Sequence, residues 1–267
     1  MIDPNESSNP NPPSLQGRRV LIVGGTGGIG HGVAQAAADA GALVVIAGRR
    51  PENQCRAIEG NADHVERTFV DITDEASVRA LFVRYERLDH LIVTAGPSAG
   101  GWASLAEQNT ASAKAYMDAK FFGSWLCAKY GAPRLSKDGS ITFLTGGTAV
   151  RPRERLAIVT AAFSAVEALA RSLAVELGPV RVNVIRPGFI DSDLWSFLDA
   201  GERETIRGNI REAFPARRVG QVEDVGHAAC FLMTNPFVTG VVLEVSGGET
   251  LVDQSWRTKA MSSSSSR

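Results

Sequence analysis

The stretch VLIVGGTGGIGHGVAQAAADAG, residues 20–41, decides the fold. Four apolar residues ending at Val23 read as a buried strand, and Gly24, Gly28 and Gly30 punctuate a turn that runs straight into an alanine-rich helix. Glycines in that position permit a tight turn. They also let a phosphorylated ligand approach bare backbone N–H groups at a helix N-terminus, where the peptide dipoles favour negative charge. With Thr26 and Ile29 in the same turn, the strand-turn-helix context marks a dinucleotide-binding site.

The same alternation continues along the chain. RVLIV (19–23), ALVVIAG (42–48), RTFVD (67–71), HLIVTAG (90–96), SITFLTG (140–146), RVNVIRPG (181–188) and VVLEV (241–245) read as strands. Between them, apolar residues recur at helical spacing and often stop at glycine. Strand, helix, strand repeated in this way predicts an α/β fold: one Rossmann domain over 17–255, with a doubly wound, seven-stranded parallel sheet and helices on both faces. The polar, proline-rich residues 1–16 are expected to be a flexible arm, and the serine-rich residues 256–267 a flexible tail.

Composition narrows the partners. The 267 residues are 44% hydrophobic and 21% charged, with a formal net charge of -1, so no long-range attraction draws the chain to nucleic acid or to an anionic membrane. No apolar run reads as a membrane span or as a leader, and a soluble cytoplasmic protein with a small-molecule substrate or ligand is expected. Cys55, Cys127 and Cys230 are odd in number and widely spaced, which fits a reducing compartment. His31, His64, His90 and His227 pair with nothing at metal-ligand spacing, so no metal is expected.

The second strand ends in AGRRPE, with Arg49 and Arg50 after Gly48. A site selective for NAD places a carboxylate there to hold the ribose hydroxyls. A guanidinium fork suits a 2'-phosphate instead, so NADP (as NADPH) is the expected cofactor.

GGTGGIG (24–30), VD at Val70 and Asp71, TAG at 94–96, RVNVIRPG at 181–188 and VSGG at 245–248 together resemble the short-chain dehydrogenase/reductase family, over about residues 16–252. The resemblance implies that Asp71 and Ile72 meet the adenine and that Ala95 and Gly96 flank the adenosine. It also implies that Pro187, Gly188, Ile190 and Ser192 lie along the nicotinamide. Residues of about 191–218 would form the substrate lid, with Leu194, Trp195 and Phe197 either lining an apolar pocket or packing a small core of their own.

Members of that family use a tyrosine as general acid or base, a lysine four residues later and a serine about thirteen residues earlier. Aligned through SAVEALARSLAVELGPVRVNVIRPG, those positions are Val159, Phe163 and Gly146, and the supporting asparagine position is Lys120. All four are changed. No tyrosine or lysine lies in 153–178, so no shift of register restores the relay.

Lys120 is then the best candidate catalytic group, because a desolvated amine can donate to a carbonyl oxygen or polarise it. Thr145 is the second, and Thr148 also flanks the vacant serine position. Arg151 and Arg153 either bind an anion at the rim or are solvated loop charges. The oily helix of about 153–177, with Val159, Phe163, Val166, Leu169 and Leu173, asks for burial on two sides and suggests a homodimer or homotetramer. Two functions remain open. One is an NADP-dependent oxidoreductase acting on a carbonyl, alcohol or activated alkene without the usual relay. The other is a catalytically silent relative that binds NADP or an apolar ligand as a sensor or assembly partner.

Overall fold

The computed structural model describes residues 14–49, 57–60, 64–97, 101–192, 195 and 199–253. Seven parallel strands form one sheet: β1 (Arg19–Val23), β2 (Leu43–Gly48), β3 (Val65–Phe69), β4 (Leu88–Val93), β5 (Leu135–Leu144), β6 (Arg181–Pro187) and β7 (Val242–Val245). Their order is β3-β2-β1-β4-β5-β6-β7, so the direction of winding reverses between β1 and β4. Ligands in such sheets bind at the carboxyl ends of the strands, beside that reversal.

Several strand ends differ from the expected ones: β4 runs 88–93 rather than 90–96, and β5 and β3 are displaced as well. β5 begins at Leu135, where Leu88 pairs with Leu135 and the register then shifts so that His90 faces Ser140. The polar run KDG separates Leu135 from the apolar part of the strand, although Leu135 pairs with Leu88 and packs partly buried against the core. β3 sits at 65–69 rather than 67–71, since pairing with β2 runs from Val65 to Phe69.

Seven helices flank the sheet: α1 (Gly28–Asp39), α2 (Glu75–Arg84), α3 (Thr110–Met117), α4 (Gly123–Gly131), α5 (Ala157–Glu176), α6 (Ala200–Ala213) and α7 (Val222–Thr234). On one face α1 and α7 pack with Val33, Ala37, Val225 and Leu232 against Ile22, Ile46 and Ile92. On the other, α2, α4 and α5 pack with Phe82, Cys127 and Val166 against Leu21, Leu91 and Phe143. The alternating strand residues thus feed two cores, one per face.

Leu15 is buried in the first of these cores, which corrects the expected arm: residues 14–16 join the folded body, and residues 1–13 lie outside the described residues, as do 254–267. By length and composition α5 is also a helix that can cross a bilayer, a property the opening reading had denied to every segment. It carries a buried carboxylate, Glu167, and lays Val159, Val166 and Ala170 on the sheet side as a core helix does. Its outer face holds Ala161, Ala168, Arg171, Ser172 and Val175, whereas Phe163, Leu169 and Leu173 are half-buried.

Candidate active site

The glycine turn is built by close approach rather than by flexibility. Gly24 has φ +97°, and a Cβ there would lie 2.5 Å from the Ala95 nitrogen and 2.6 Å from Thr94 Oγ1. A Cβ on Gly30 would lie 2.6 Å from the same Thr94 hydroxyl and collide with the Gly24 carbonyl. The β1 turn, the β4 turn and the first turn of α1 therefore meet with no room for a side chain. Thr94 closes the joint by donating its N–H to the Val23 carbonyl at 2.9 Å.

Among the described residues, the N–H groups of Gly28, Ile29 and Gly30 donate to no protein acceptor. Three unspent donors on a glycine cradle at the start of a twelve-residue helix fit a pyrophosphate. Thr26 reaches over the end of β2, its Cγ2 2.7 Å from where a Cβ on Gly48 would be, which puts exposed Arg49 beside the cradle. Arg50 lies outside the described residues.

Asp71 follows β3 on the same rim. Its Oδ1 accepts from the Thr73 N–H at 3.0 Å and from the Thr73 hydroxyl at 2.7 Å, and these bonds, with the charge of Arg49 contributing least, hold its carboxyl below the usual aspartate value. Ile72 is 7% exposed and packs on Gly123, so its side chain belongs to the core and only its backbone faces the cleft. Opposite the turn, a Cβ on Gly28 would lie 3.9 Å from the Ser192 Cβ. Gly188 follows Pro187 beneath Ser246 and Glu249, with 2.6 Å between a Cβ position there and Glu249 Oε2, and Ile190 is tied to Gly220. Gly24, Arg49, Asp71, Ala95 and Gly188 thus follow the carboxyl ends of β1, β2, β3, β4 and β6.

The α5 residues aligned from the sequence with the family's relay lie together in one small cluster. Val159 is buried with Ala162 and Tyr116, and Phe163 packs at their edge. The ring of Phe163 stands 2.7 Å from where a Cβ on Gly146 would project. Ring and glycine are therefore a matched pair: the aromatic ring takes the volume that a serine side chain would need.

Lys120 lies in a single π turn, Asp118–Phe122, between α3 and α4. It is 4% exposed, its Nζ donates to the Ala95 carbonyl at 3.3 Å, and the ammonium sits 5.6 Å from the centroid of the Phe163 ring. Its stem runs against Gly96, with Cδ 3.4 Å from a Cβ position there. Desolvation pulls its pKa down to about 8. Lys120 is therefore a buried lysine and not a surface one.

Thr145 is placed differently from Lys120. Its hydroxyl donates to buried Glu167 at 3.0 Å, and Glu167 receives the Arg186 guanidinium as a fork, at 2.9 and 2.7 Å. Arg186 also reaches Glu244 at 3.4 Å. This network locks α5 to β5, β6 and β7 directly under the cleft. Thr148 is buried, and its hydroxyl has no hydrogen-bond partner.

Neither arginine of 151–153 is a solvated loop charge. Arg151 donates to the Val252 carbonyl, and Arg153 pairs at 2.5 Å with Glu249, which is 1% exposed and whose carboxyl burial holds above its usual value. Both fasten the segment after β7, and long-range pairing of this kind leaves no trace in sequence spacing. Trp195 stacks on Phe189 at 4.4 Å, donates to the Ile190 carbonyl at 3.0 Å and joins Ile206, Ile210 and Phe214, so it packs a small core with α6. Leu194 and Phe197 lie outside the described residues. A second cleft, lined by Arg18, His90, Asp138 and Arg181, opens at the amino ends of the strands. Its charges are spent on structure: Arg18 pairs with Asp89 and Asp138, and Arg181 caps α7 through the Leu232 and Met233 carbonyls. His90 there holds Ser140 at 2.9 Å, and burial lowers its pKa to about 4. Among the described residues no cluster of three metal-ligating side chains occurs.

The order of strands, the glycine cradle and the cleft define a nicotinamide-dinucleotide-binding oxidoreductase of Rossmann type. The sequence profile described as enoyl-(acyl carrier protein) reductase matches residues 24–250, and the chain belongs to the short-chain dehydrogenase/reductase family. A short-chain dehydrogenase/reductase of Gibberella fujikuroi is 29% identical over 255 residues, covering 89% of this chain and 96% of the relative. An L-fucose dehydrogenase of Oryctolagus cuniculus is 34% identical over 246 residues, covering 88% and 86%. Among solved structures, a small-chain dehydrogenase in complex with NADPH superposes with TM-score 0.74 at 30% identity over 88% of this chain and all of the other. The reductase/Diels-Alderase MalC of Malbranchea aurantiaca superposes with TM-score 0.81 at 29% identity, covering 89% and 98%.

Proposed function

We propose that this chain is an NADP-dependent reductase of small molecules carrying a carbonyl or an activated alkene, working without the tyrosine-lysine relay of α5. The observation that carries the reading is Lys120: a nearly dry ammonium held over the Phe163 ring and against Gly96, in the part of the cleft where relatives keep their proton donor. A structural neighbour at 30% identity that holds NADPH supports the cofactor, and exposed Arg49 at the end of β2 supports the phosphorylated form.

The chain's own residues divide the work. Gly24, Thr26, Gly28, Ile29 and Gly30 cradle the pyrophosphate, with Arg49 and Arg50 at the 2'-phosphate. Asp71, Ile72, Ala95 and Gly96 flank the adenosine. Pro187, Gly188, Ile190 and Ser192 border the nicotinamide. When bound, reduced nicotinamide supplies a hydride to carbon. Lys120 Nζ turns a hydrogen bond and a positive charge toward the substrate oxygen, where low polarity strengthens both. Thr145 keeps its proton on Glu167 and acts by fixing α5. The small-residue outer face of α5 favours a homodimer or homotetramer, and a cytoplasmic location fits the free thiols of Cys127 and Cys230.

A second reading rests on the Gly146–Phe163 fit, which has the look of a floor rebuilt for an apolar ligand: a silent relative that binds the dinucleotide and turns nothing over. Calorimetry with NADPH and NADH, followed by NADPH oxidation across a panel of ketones, aldehydes and enones, separates them. Turnover lost in Lys120→Met supports the reductase. Tight NADPH binding with no turnover of any panel member establishes the silent reading, and preference for NADH overturns the assignment of Arg49.

A further inference from the structure

Segments that the sequence keeps far apart meet on one carboxylate. Glu249 stands just after β7 and is 1% exposed. Its Oε2 accepts the Phe189 N–H at 2.8 Å, and its Oε1 takes the Arg153 guanidinium at 2.5 Å. The backbone comes as close: a Cβ on Gly188 would lie 2.6 Å from Glu249 Oε2 and 2.8 Å from the Ser246 Cα. The turn after β6 therefore rests on the turn after β7 with no room for a side chain between them.

The same turn carries α6, which belongs to the segment read from the sequence as the substrate lid. Cβ atoms on Gly247 and Gly248 would meet Ala216 at 3.2 Å and Pro215 at 2.6 Å, just past the end of α6, and the Ala216 N–H donates to the Gly247 carbonyl at 3.1 Å. Val252, whose carbonyl accepts from Arg151, packs on the small core that α6 builds with Phe189 and Trp195. Phe189 belongs to both sides. Its N–H is spent on Glu249, and its ring stacks on Trp195 at 4.4 Å and 21°. An apolar residue would fill position 249 at a smaller desolvation cost, whereas a carboxylate with two oxygens ties two segments at once.

We propose that Glu249 is a positioning residue that couples the nicotinamide border to the substrate lid, by holding the Phe189 backbone so that Pro187 and Gly188 on one side and the Phe189–Trp195 stack on the other keep a single geometry. This rests on the reductase reading above. Glu249 exchanges no proton with substrate and acts only through Phe189, with Arg153 compensating its charge. Its reach is confined to one half of the cofactor, because the Gly24–Gly30 turn and Arg49 are carried by β1, α1 and β2, which do not depend on this contact.

Two matched double variants test it. Arg153→Met/Glu249→Met replaces the buried pair by apolar atoms of similar volume, a change that buried ion pairs tolerate without unfolding, and removes the acceptor for the Phe189 N–H. Arg153→Gln/Glu249→Gln also removes the charges but keeps a carbonyl oxygen for that N–H. Hydrogen exchange read by mass spectrometry on the cofactor-free chain should be about tenfold faster or more over 188–190 and 206–214 in the Met/Met chain, close to wild type there in the Gln/Gln chain, and unchanged over α1 in both. Calorimetry should show the Met/Met chain binding NADPH more weakly while 2'-phospho-ADP-ribose, which lacks the nicotinamide, binds as to wild type. On the carbonyl panel its kcat should fall by about 10²-fold, with most of that loss restored in the Gln/Gln chain. Exchange that is unchanged over 188–190 and 206–214, or that rises equally over α1, overturns the proposal. So does equal loss of NADPH and 2'-phospho-ADP-ribose, or a Gln/Gln chain no better than Met/Met. A wild type that turns over no panel member removes the reductase reading, and the exchange pattern alone then decides the coupling.

Discussion

Phe163 fills the volume above Gly146, its ring edge 2.7 Å from where a Cβ would stand. A side chain on Gly146 and the Phe163 ring cannot both occupy that space. A Gly146→Ser chain has to push an aromatic ring out of a packed cluster, at an expected loss of about 1–3 kcal/mol. Urea unfolding should show that loss in the single variant and its relief in Gly146→Ser/Phe163→Ala; equal stabilities of Gly146→Ser and wild type would contradict the fit.

Glu167 and Arg186 make the strongest charged contact under the cleft, a fork at 2.9 and 2.7 Å with both side chains nearly dry. Removing the carboxylate leaves a guanidinium with only Glu244 at 3.4 Å. Glu167→Ala is expected to lose about 3–5 kcal/mol, whereas Glu204→Ala, which breaks exposed, solvent-screened pairs on α6 with Arg207 and Arg211, should leave stability nearly unchanged. Comparable losses in the two variants would rule out the buried network as the lock on α5.

Burial holds the Lys120 ammonium at a pKa of about 8, against roughly 10.4 in an unfolded chain. Below pH 8 both states carry the proton and the folded state bears the full desolvation cost. Between pH 8 and 10.4 the unfolded state binds more protons than the folded one, so stability rises with pH. Relative to Lys120→Met, wild type should gain up to roughly 3 kcal/mol over that window. A constant difference between the two unfolding free energies from pH 7 to 10.5 would place the amine in water.

Arg49 is exposed at the end of β2, beside the Thr26 side of the glycine turn. One charge-assisted bond to a phosphate is worth about 1.5–3 kcal/mol. Arg49→Ala should therefore weaken NADPH binding by about tenfold or more and leave NADH nearly unchanged, as read by calorimetry. Equal loss for both cofactors would mean that the guanidinium never meets the 2'-phosphate.

The seven strands and the glycine turn were legible because both rest on local rules. Apolar runs of strand length, glycine turns and RVNVIRPG report their own structure, and a one-residue cradle such as Gly24 against Thr94 requires glycine wherever it occurs. What spacing did not reveal is everything made between distant segments. Arg153 reaches Glu249 across 96 residues and Arg186 reaches Glu167 across 19, so neither pair leaves a local pattern. Leu15, at the edge of a proline-rich tail, reads as part of the tail until the α1 face is there to cover it.

The π turn at Asp118–Phe122 has a consequence for the history of this cleft. A wide turn is one residue longer than the α turn it replaces, and in an ordinary helix each residue rotates the chain by about 100°. Excising a single residue after Lys120 would straighten the rod and swing α4 out of step with β4 while the lysine itself stayed over the ring. The amine's location and the docking of the downstream helix are thus separately adjustable, so descendants of this chain can retune one without dismantling the other.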